Sequence, residues 1–151
     1  MTFNELNLQT GWAVFVGLVA SVEDLRRRQI PNWIPVLAAA GGIGIAALDG
    51  GLAGFGSALA GMIAGFAVFF AIYALGAMGG GDVKLMAGFG ALLGWSLIWQ
   101  ASLWTAAVGG VLALGFAGVS ALRGKPPGRR DEAIPYAPAI AAGCWLALIA
   151  K

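Results

Sequence analysis

Two aspartates stand out in a sequence that is otherwise apolar almost throughout. Asp82 directly follows three glycines, Gly79 to Gly81, and Asp24 lies in the densest charge cluster of the chain. Ionisable groups in or beside apolar spans cost free energy and are functional candidates for that reason. Two carboxylates that face each other at a partly dehydrated site tend to share one proton. In that state the ionised one can activate water while the protonated one stabilises the oxyanion, which is the chemistry of peptide hydrolysis.

The residue types that are missing narrow the chemistry further. The 151-residue sequence contains no histidine and one cysteine, Cys144, inside an apolar run. Ser–His dyads, Cys–His pairs and histidine zinc sites are therefore excluded, as are an intrachain disulfide and a CxxC metal site. We expect no metal and no cofactor, and we interpret Cys144 as a small packing residue.

The elements that must position the aspartates are predicted to be membrane helices. The chain is 60% hydrophobic and 11% charged, whereas a soluble domain has about 25% charged residues. We predict an all-α polytopic membrane protein with a single domain over residues 1–151. Its six spans are predicted at 6–22, 32–48, 54–76, 83–95, 103–122 and 134–150. The turns between them are predicted at 49–51 and 96–100, with a glycine break before Asp82 and an aqueous loop at 123–133.

The distribution of basic residues predicts the orientation. Six spans place the loops 23–31, 77–84 and 123–133 on one side, with every Lys and Arg except Lys151. The positive-inside rule makes that side cytoplasmic and places both termini outside. Asp24 and Asp82 then share the cytoplasmic boundary, while Glu5 and Asp49 lie at the opposite face.

Each polar residue near the boundary also has a purely structural interpretation. Asp24 can pair with Arg28 one helical turn on, and Asp82 can act as the N-cap of the fourth span. Lys84 either tunes the ionisation of Asp82 or binds lipid phosphate, and Tyr136 can serve as an interface anchor. The presence of both carboxylates on one side of a chain without histidine favours the catalytic interpretation.

Three segments, in order, resemble the type IV prepilin peptidases. Residues 79–85 fit the GxGD motif of that family in its GxGDVKL form, residues 24–32 look like its first catalytic segment, and residues 134–140 are similar to its last-helix signature. The resemblance implies a membrane aspartyl endopeptidase with Asp24 and Asp82 as its catalytic pair. It would cleave the basic leader of prepilins or pseudopilins, whose apolar helix follows the leader, at the cytoplasmic face of a prokaryotic inner membrane. Membrane lipids are the other expected partner, and nucleic acid is not expected to be one.

The resemblance also suggests a branch of the family and supporting residues. Longer members carry a CxxC-containing insert and methylate the new N-terminus; this sequence has neither the motif nor the insert, so methylation is not expected. The small size resembles the minimal branch that serves Flp/Tad pili, with archaeal preflagellin peptidases as the alternative. Supporting roles fall to the loop residues Gly79, Gly81 and Lys84, and structural or substrate contacts to Ile30, Pro31, Asn32, Tyr136 and Pro138.

Three alternatives compete with aspartyl proteolysis. A transporter or proton channel would place its carboxylates near the bilayer midplane and show internal repeats, and neither is evident. A non-catalytic assembly subunit would tolerate replacement of the aspartates by asparagine. A Ser–Lys peptidase built on Lys84 would need a serine near that lysine, and the sequence places none there.

Overall fold

The computed structural model describes residues 3–76, 78–122 and 135–151, and every regular element among them is an α-helix. Four helices follow one another along the chain: α1 (Phe3–Arg27), α2 (Trp33–Ala74), α3 (Gly80–Leu122) and α4 (Ala137–Ile149). No strand occurs within these ranges, so the all-α prediction is confirmed. The basic loop predicted at 123–133 lies outside the described residues.

Helices α2 and α3 are long and apolar enough to cross a membrane, judged by length and composition. A straight helix of 42 residues, the length of α2, would measure about 63 Å, roughly twice the thickness of a bilayer's hydrocarbon core. Neither helix is straight, because each contains one glycine with non-helical dihedrals: Gly51 in α2 (φ 56°, ψ −136°) and Gly94 in α3 (φ 72°, ψ −180°). Positive φ values are accessible to glycine at little cost. Each helix therefore consists of two arms, 33–50 and 52–74 in α2, and 80–93 and 95–122 in α3.

The chain turns back on itself at Gly51. A Cβ atom on Gly54 would collide with the carbonyl oxygen of Ala46, eight residues earlier, whereas the same two positions in a straight helix lie about 12 Å apart along the axis. The turn predicted at Asp49–Gly51 is therefore present, with its break at the last of those residues.

The chain turns back a second time at Gly94. Met86 and Ile98, twelve residues apart on either side of it, both lie against Gly65, where an added Cβ would be 2.7 Å from the Met86 carbonyl oxygen and 3.2 Å from Ile98 Cδ1. The prediction of a turn at residues 96–100 is wrong. Those residues are helical, and the backbone N–H of Trp95 donates to Ser57 Oγ at 3.1 Å. The sequence was misleading because Trp95 and Trp99 are exposed on the outside of the new arm, where their rings meet edge to face at 5.1 Å. Exposed tryptophans are typical of membrane interfaces, where turns also occur.

Glycines hold the two arms of α2 against the first arm of α3. A Cβ on Gly61 would meet the carbonyl oxygen of Gly90, and one on Gly42 would lie 2.5 Å from the backbone of Leu92. Small residues allow this close approach of membrane helices. The first arm of α3 is consequently the most enclosed element, with Leu85, Met86 and Phe89 fully buried.

Helix α4 packs between α1 and the second arm of α3. The Trp145 side chain donates from Nε1 to the carbonyl oxygen of Ala13 at 3.1 Å, and Gly143 lies against Thr105. Cys144 is fully buried and unpaired, which agrees with its predicted packing role. These contacts bring the start of α4 beside the end of α1.

Candidate active site

Asp24 lies in the last turn of α1, where the helix ends in an unusual way. Arg28, four residues further on, has a left-handed φ of 51°, and its backbone N–H donates to the Asp24 carbonyl oxygen at 2.8 Å. Glycine normally occupies this position, and a residue with a side chain costs about 1–3 kcal/mol there. This ending turns the chain at once into the connection to α2, so residues 29–32 stay beside Asp24.

Asp82 lies in the first turn of α3. Its Oδ2 atom accepts a hydrogen bond from the backbone N–H of Gly79 at 3.1 Å, and its own N–H donates to the Gly79 carbonyl oxygen at 3.2 Å. The alternative interpretation of Asp82 as the N-cap is therefore displaced by three residues, because Gly79 occupies the capping position. Asp82 reaches back to it from inside the helix, as the acidic residue of a capping box does.

The neighbouring glycines permit close contacts around Asp82. A Cβ atom on Gly79 would lie 3.3 Å from Asp82 Oδ2, and one on Gly81 would lie 3.2 Å from the Cβ of Ile30. The glycine run therefore lets the start of α3 approach both its own carboxylate and the α1–α2 connection.

Both aspartates line one cleft of about 340 Å³ at this end of the helix bundle. The cleft gathers most of the residues that the sequence predicted for the site, namely Asp24, Ile30, Asn32, Gly79, Gly81, Asp82 and Lys84. It also includes Arg28, Gln29 and Gly80, which sequence reasoning did not place there. Arg28 could have been placed in the cleft from the sequence, because it lies one helical turn after Asp24.

A backbone group of the last helix completes the surroundings of Asp24. The N–H of Ala137, the first residue of α4, donates to Asp24 Oδ2 at 3.0 Å in a buried position. The start of a helix carries partial positive charge, so this contact favours the ionised carboxylate. Nothing in the sequence pointed to Ala137, because a backbone donor has no side-chain signature.

Lys84 bridges the cleft instead of approaching a carboxylate. Its Nζ donates to Asn32 Oδ1 at 2.9 Å. Asn32 occupies the N-cap position of α2, but its side chain makes no capping hydrogen bond. The Lys84–Asn32 bond thus joins the α1–α2 connection to the first turn of α3.

Burial sets the ionisation of the two carboxylates, which lie at helix ends just outside the predicted spans 6–22 and 83–95. Asp24 and Asp82 are 6% and 8% exposed. Burial raises the pKa of Asp24, against the lowering effects of the Ala137 N–H and the Arg28 charge. Burial and, second, the charge of Asp24 raise the pKa of Asp82 to about 7, while the Gly79 N–H lowers it. Of the two, Asp82 is the better placed to keep a proton near neutral pH.

The remaining predicted residues lie beside the cleft or away from it. Pro31 belongs to the turn before α2, where its carbonyl oxygen accepts from Ile34 at 3.1 Å. Tyr136 and Pro138 flank Ala137, and Tyr136 faces a different, apolar groove. Asp49 lines a separate cavity together with Gln9 and Lys151. Among the described residues, no three His, Cys, Asp or Glu side chains come together as metal ligands.

Comparison with known proteins gives one family. The type IV leader peptidase family model matches residues 12–114, a range that contains both Asp24 and Asp82. The prepilin leader peptidase/N-methyltransferase of Bacillus subtilis is 34% identical over 143 residues, covering 90% of this chain and 54% of that protein. The protein of the same name from Aeromonas hydrophila is 28% identical, covering 95% of this chain and 52% of that protein. The chain thus spans about half the length of these relatives, and no solved structure gives a significant match.

Proposed function

We propose that this chain, which belongs to the type IV leader peptidase family, is a membrane aspartyl endopeptidase that removes the leader of Flp-type prepilins or pseudopilins. The observation that carries the proposal is the placement of Asp24 and Asp82 in one cleft, with one oxygen of each carboxylate held by a backbone N–H. Two relatives are named prepilin leader peptidases, which supports prepilin as the substrate class.

The surroundings of the two carboxylates suggest different roles. Asp24 is the general base, because the Ala137 N–H and the Arg28 charge both favour its ionised form. Asp82 holds the shared proton, because burial and the Asp24 charge both raise its pKa. Asp24 takes a proton from water as the water oxygen attacks the scissile carbonyl carbon, and Asp82 gives its proton to the carbonyl oxygen. The resulting gem-diol collapses when Asp24 gives its proton to the leaving nitrogen and the C–N bond breaks. One diol hydroxyl then returns its proton to Asp82, so the pair is restored with one shared proton.

The proposed membrane arrangement uses the two reversals. With α2 and α3 each folded into two arms, the four helices make six crossings, and both termini lie outside the cytoplasm. The end of the bundle that holds the cleft also carries Arg26, Arg27, Arg28 and Lys84. The positive-inside rule places that end at the cytoplasmic face of the inner membrane. A prepilin with a basic leader before an apolar helix would present its cleavage point at the same level.

The test is processing of a co-expressed Flp-type prepilin by the wild type, Asp24→Asn and Asp82→Asn, with membrane abundance measured for each. We expect both variants to lose processing at normal abundance. Full processing by either variant would remove that residue from the mechanism. Processing by both would favour a non-catalytic assembly subunit or a transporter.

Mass spectrometry of the processed pilin tests whether this chain only cleaves the prepilin or also methylates the new N-terminus. We expect a new N-terminus without a methyl group, since the sequence contains no CxxC motif. A methylated product formed in a host that lacks every other prepilin peptidase would assign the second activity to this chain as well.

A further inference from the structure

An apolar groove of about 570 Å³ lies between the second arms of α2 and α3. Val68 and Ile72 form one wall, and the α3 wall runs from Trp99 to Gly110. That wall is about 16 Å long at 1.5 Å per residue. The groove is open to the surroundings, since Leu103 is 73% exposed and Ala106 and Gly110 are exposed as well.

Two separate segments of the chain connect the groove to the catalytic cleft. Met78 lines the groove and is bonded to Gly79, whose N–H holds Asp82. Tyr136 also lines it and is bonded to Ala137, whose N–H holds Asp24. A segment that leaves the groove past Met78 and Tyr136 therefore comes out beside the two residues, Gly79 and Ala137, whose backbone N–H groups hold the carboxylates.

The α3 wall has the shape that a packed helix requires. Ala106, Gly109 and Gly110 present little side-chain volume, and small residues let a second helix approach closely in a membrane. The Tyr136 ring already uses this space at one position, because a Cβ on Gly109 would lie 3.1 Å from it. A Cβ atom added to Gly110, in contrast, would have no heavy atom within 4 Å, so the groove surface at this point is unfilled.

We propose that this groove binds the apolar helix of the prepilin and thereby places the cleavage point over Asp24 and Asp82. The inference rests on the proposed function. An acyl chain would also suit an apolar surface, but only a segment joined to the scissile bond gains from the direct continuity with both carboxylates. The prepilin helix would lie in the groove, and contacts between its apolar side chains and the groove walls would provide the affinity.

Filling the groove tests the proposal. Gly110→Phe adds a ring to the groove without a backbone clash, and Gly115→Phe is its matched control, because position 115 is equally open and does not line the groove. Each variant is given a full-length prepilin and a short peptide that contains the leader and the cleavage point only. For Gly110→Phe we expect the ratio of the two kcat/KM values, prepilin over peptide, to fall about tenfold, because misplacing a substrate costs catalysis steeply. Gly115→Phe should leave that ratio unchanged, and an unchanged ratio in Gly110→Phe would overturn the proposal.

A second measurement does not depend on catalysis. The photo-crosslinking residue p-benzoylphenylalanine is placed at position 110 or 115 of the Asp82→Asn variant, in membranes that contain prepilin. We expect adducts to the prepilin's apolar helix from position 110 and none from 115. Adducts only to lipid or to residues 123–134 would overturn the groove proposal. A wild type that cleaves neither substrate would instead contradict the proposed function, and the adducts would still decide the groove.

Discussion

The carboxylate of Asp24 accepts a hydrogen bond from the backbone N–H of Ala137, 113 residues further along the chain, at 3.0 Å. One bond thus joins the end of α1 to the start of α4. It explains why the segment around Ala137 matters to the site although it contributes no reactive side chain. Pro138 is the second residue of α4. Its missing N–H does not destabilise the helix, because the N–H groups of the first turn make no intrahelical hydrogen bonds.

Replacing Asp24 by asparagine or alanine separates its catalytic role from its structural one. Both variants should lose cleavage, but asparagine retains an oxygen that can accept from Ala137. Alanine leaves that buried N–H without a partner, which costs about 1–2 kcal/mol. We therefore expect the apparent Tm in detergent to be lower for Asp24→Ala than for Asp24→Asn. Equal Tm values would show that the bond to α4 does not stabilise the fold.

Gly81→Val tests the close contact between α3 and the α1–α2 connection. A Cβ at this position would lie 3.2 Å from the Cβ of Ile30, and valine adds two methyl groups beyond it. We expect cleavage to be abolished at normal expression, since the added groups push Ile30 away and separate the segments that carry the aspartates. Gly80→Ala is the control, because its Cβ would meet only the Tyr73 ring at 3.7 Å. Retained cleavage in Gly81→Val would exclude this positioning role.

The Lys84–Asn32 bond is tested by a double-mutant cycle. Lys84→Met and Asn32→Ala each remove one partner of the 2.9 Å contact. Because the pair is exposed, we expect a coupling free energy of about 0.5–1 kcal/mol in unfolding measurements. As a control, the effects of Arg26→Met and Asn32→Ala on the free energy of unfolding should simply add. If the effects of Lys84→Met and Asn32→Ala also add, the Lys84–Asn32 hydrogen bond does not contribute to stability.

The pH dependence of cleavage should follow the proton on Asp82. Its pKa is raised to about 7, so the proposed acid loses its proton, and cleavage declines, as the pH rises through that value. Cleavage should also decline at acidic pH, where Asp24 becomes protonated. A rate that keeps increasing well above pH 7 would contradict the assignment of Asp82 as the acid.

The same raised pKa predicts how stability varies with pH. The folded protein binds the Asp82 proton more tightly than the unfolded chain, whose carboxyl has a pKa of 3.8. Between that value and about 7 the folded state holds more protons, so stability falls as the pH rises across this window. Asp82→Asn should reduce this slope in a series of Tm measurements. An unchanged slope would assign it to other groups.

Gly90→Ala tests the packing of α3 against α2. Its Cβ would collide with the carbonyl oxygen of Gly61, and because backbone meets backbone, neither side can give way cheaply. We expect a loss of about 1–3 kcal/mol, the usual cost of overpacking, or reduced folded yield. Gly56→Ala is the control, since nothing lies within 4 Å of its Cβ and alanine favours the helix. Equal Tm values for Gly90→Ala and wild type would contradict the close packing.

Composition and local pattern were sufficient for the helical class and the turn at Gly51, and they led to the prediction that the two aspartates are the catalytic pair. An apolar chain without histidine leaves few catalytic groups, and the charges at Asp24 and Asp82 are costly unless they are used. The burial of Cys144 also follows from its residue type and its apolar surroundings in the sequence. The second turn was predicted too late in the chain. The segment after Gly94 contains exposed tryptophans, as a turn at a membrane interface would, but it is helical.

Only the tertiary structure decided which groups surround the aspartates. Ala137 acts through its backbone N–H, which is the same in every residue except proline, so no sequence pattern could identify it. Lys84 bonds to Asn32, 52 positions away, because the reversal at Gly51 brings the end of α2, and with it the start of α3, back beside the start of α2. The sequence determined which residues can do the chemistry, and the packing of distant helix ends determined which partners set their ionisation.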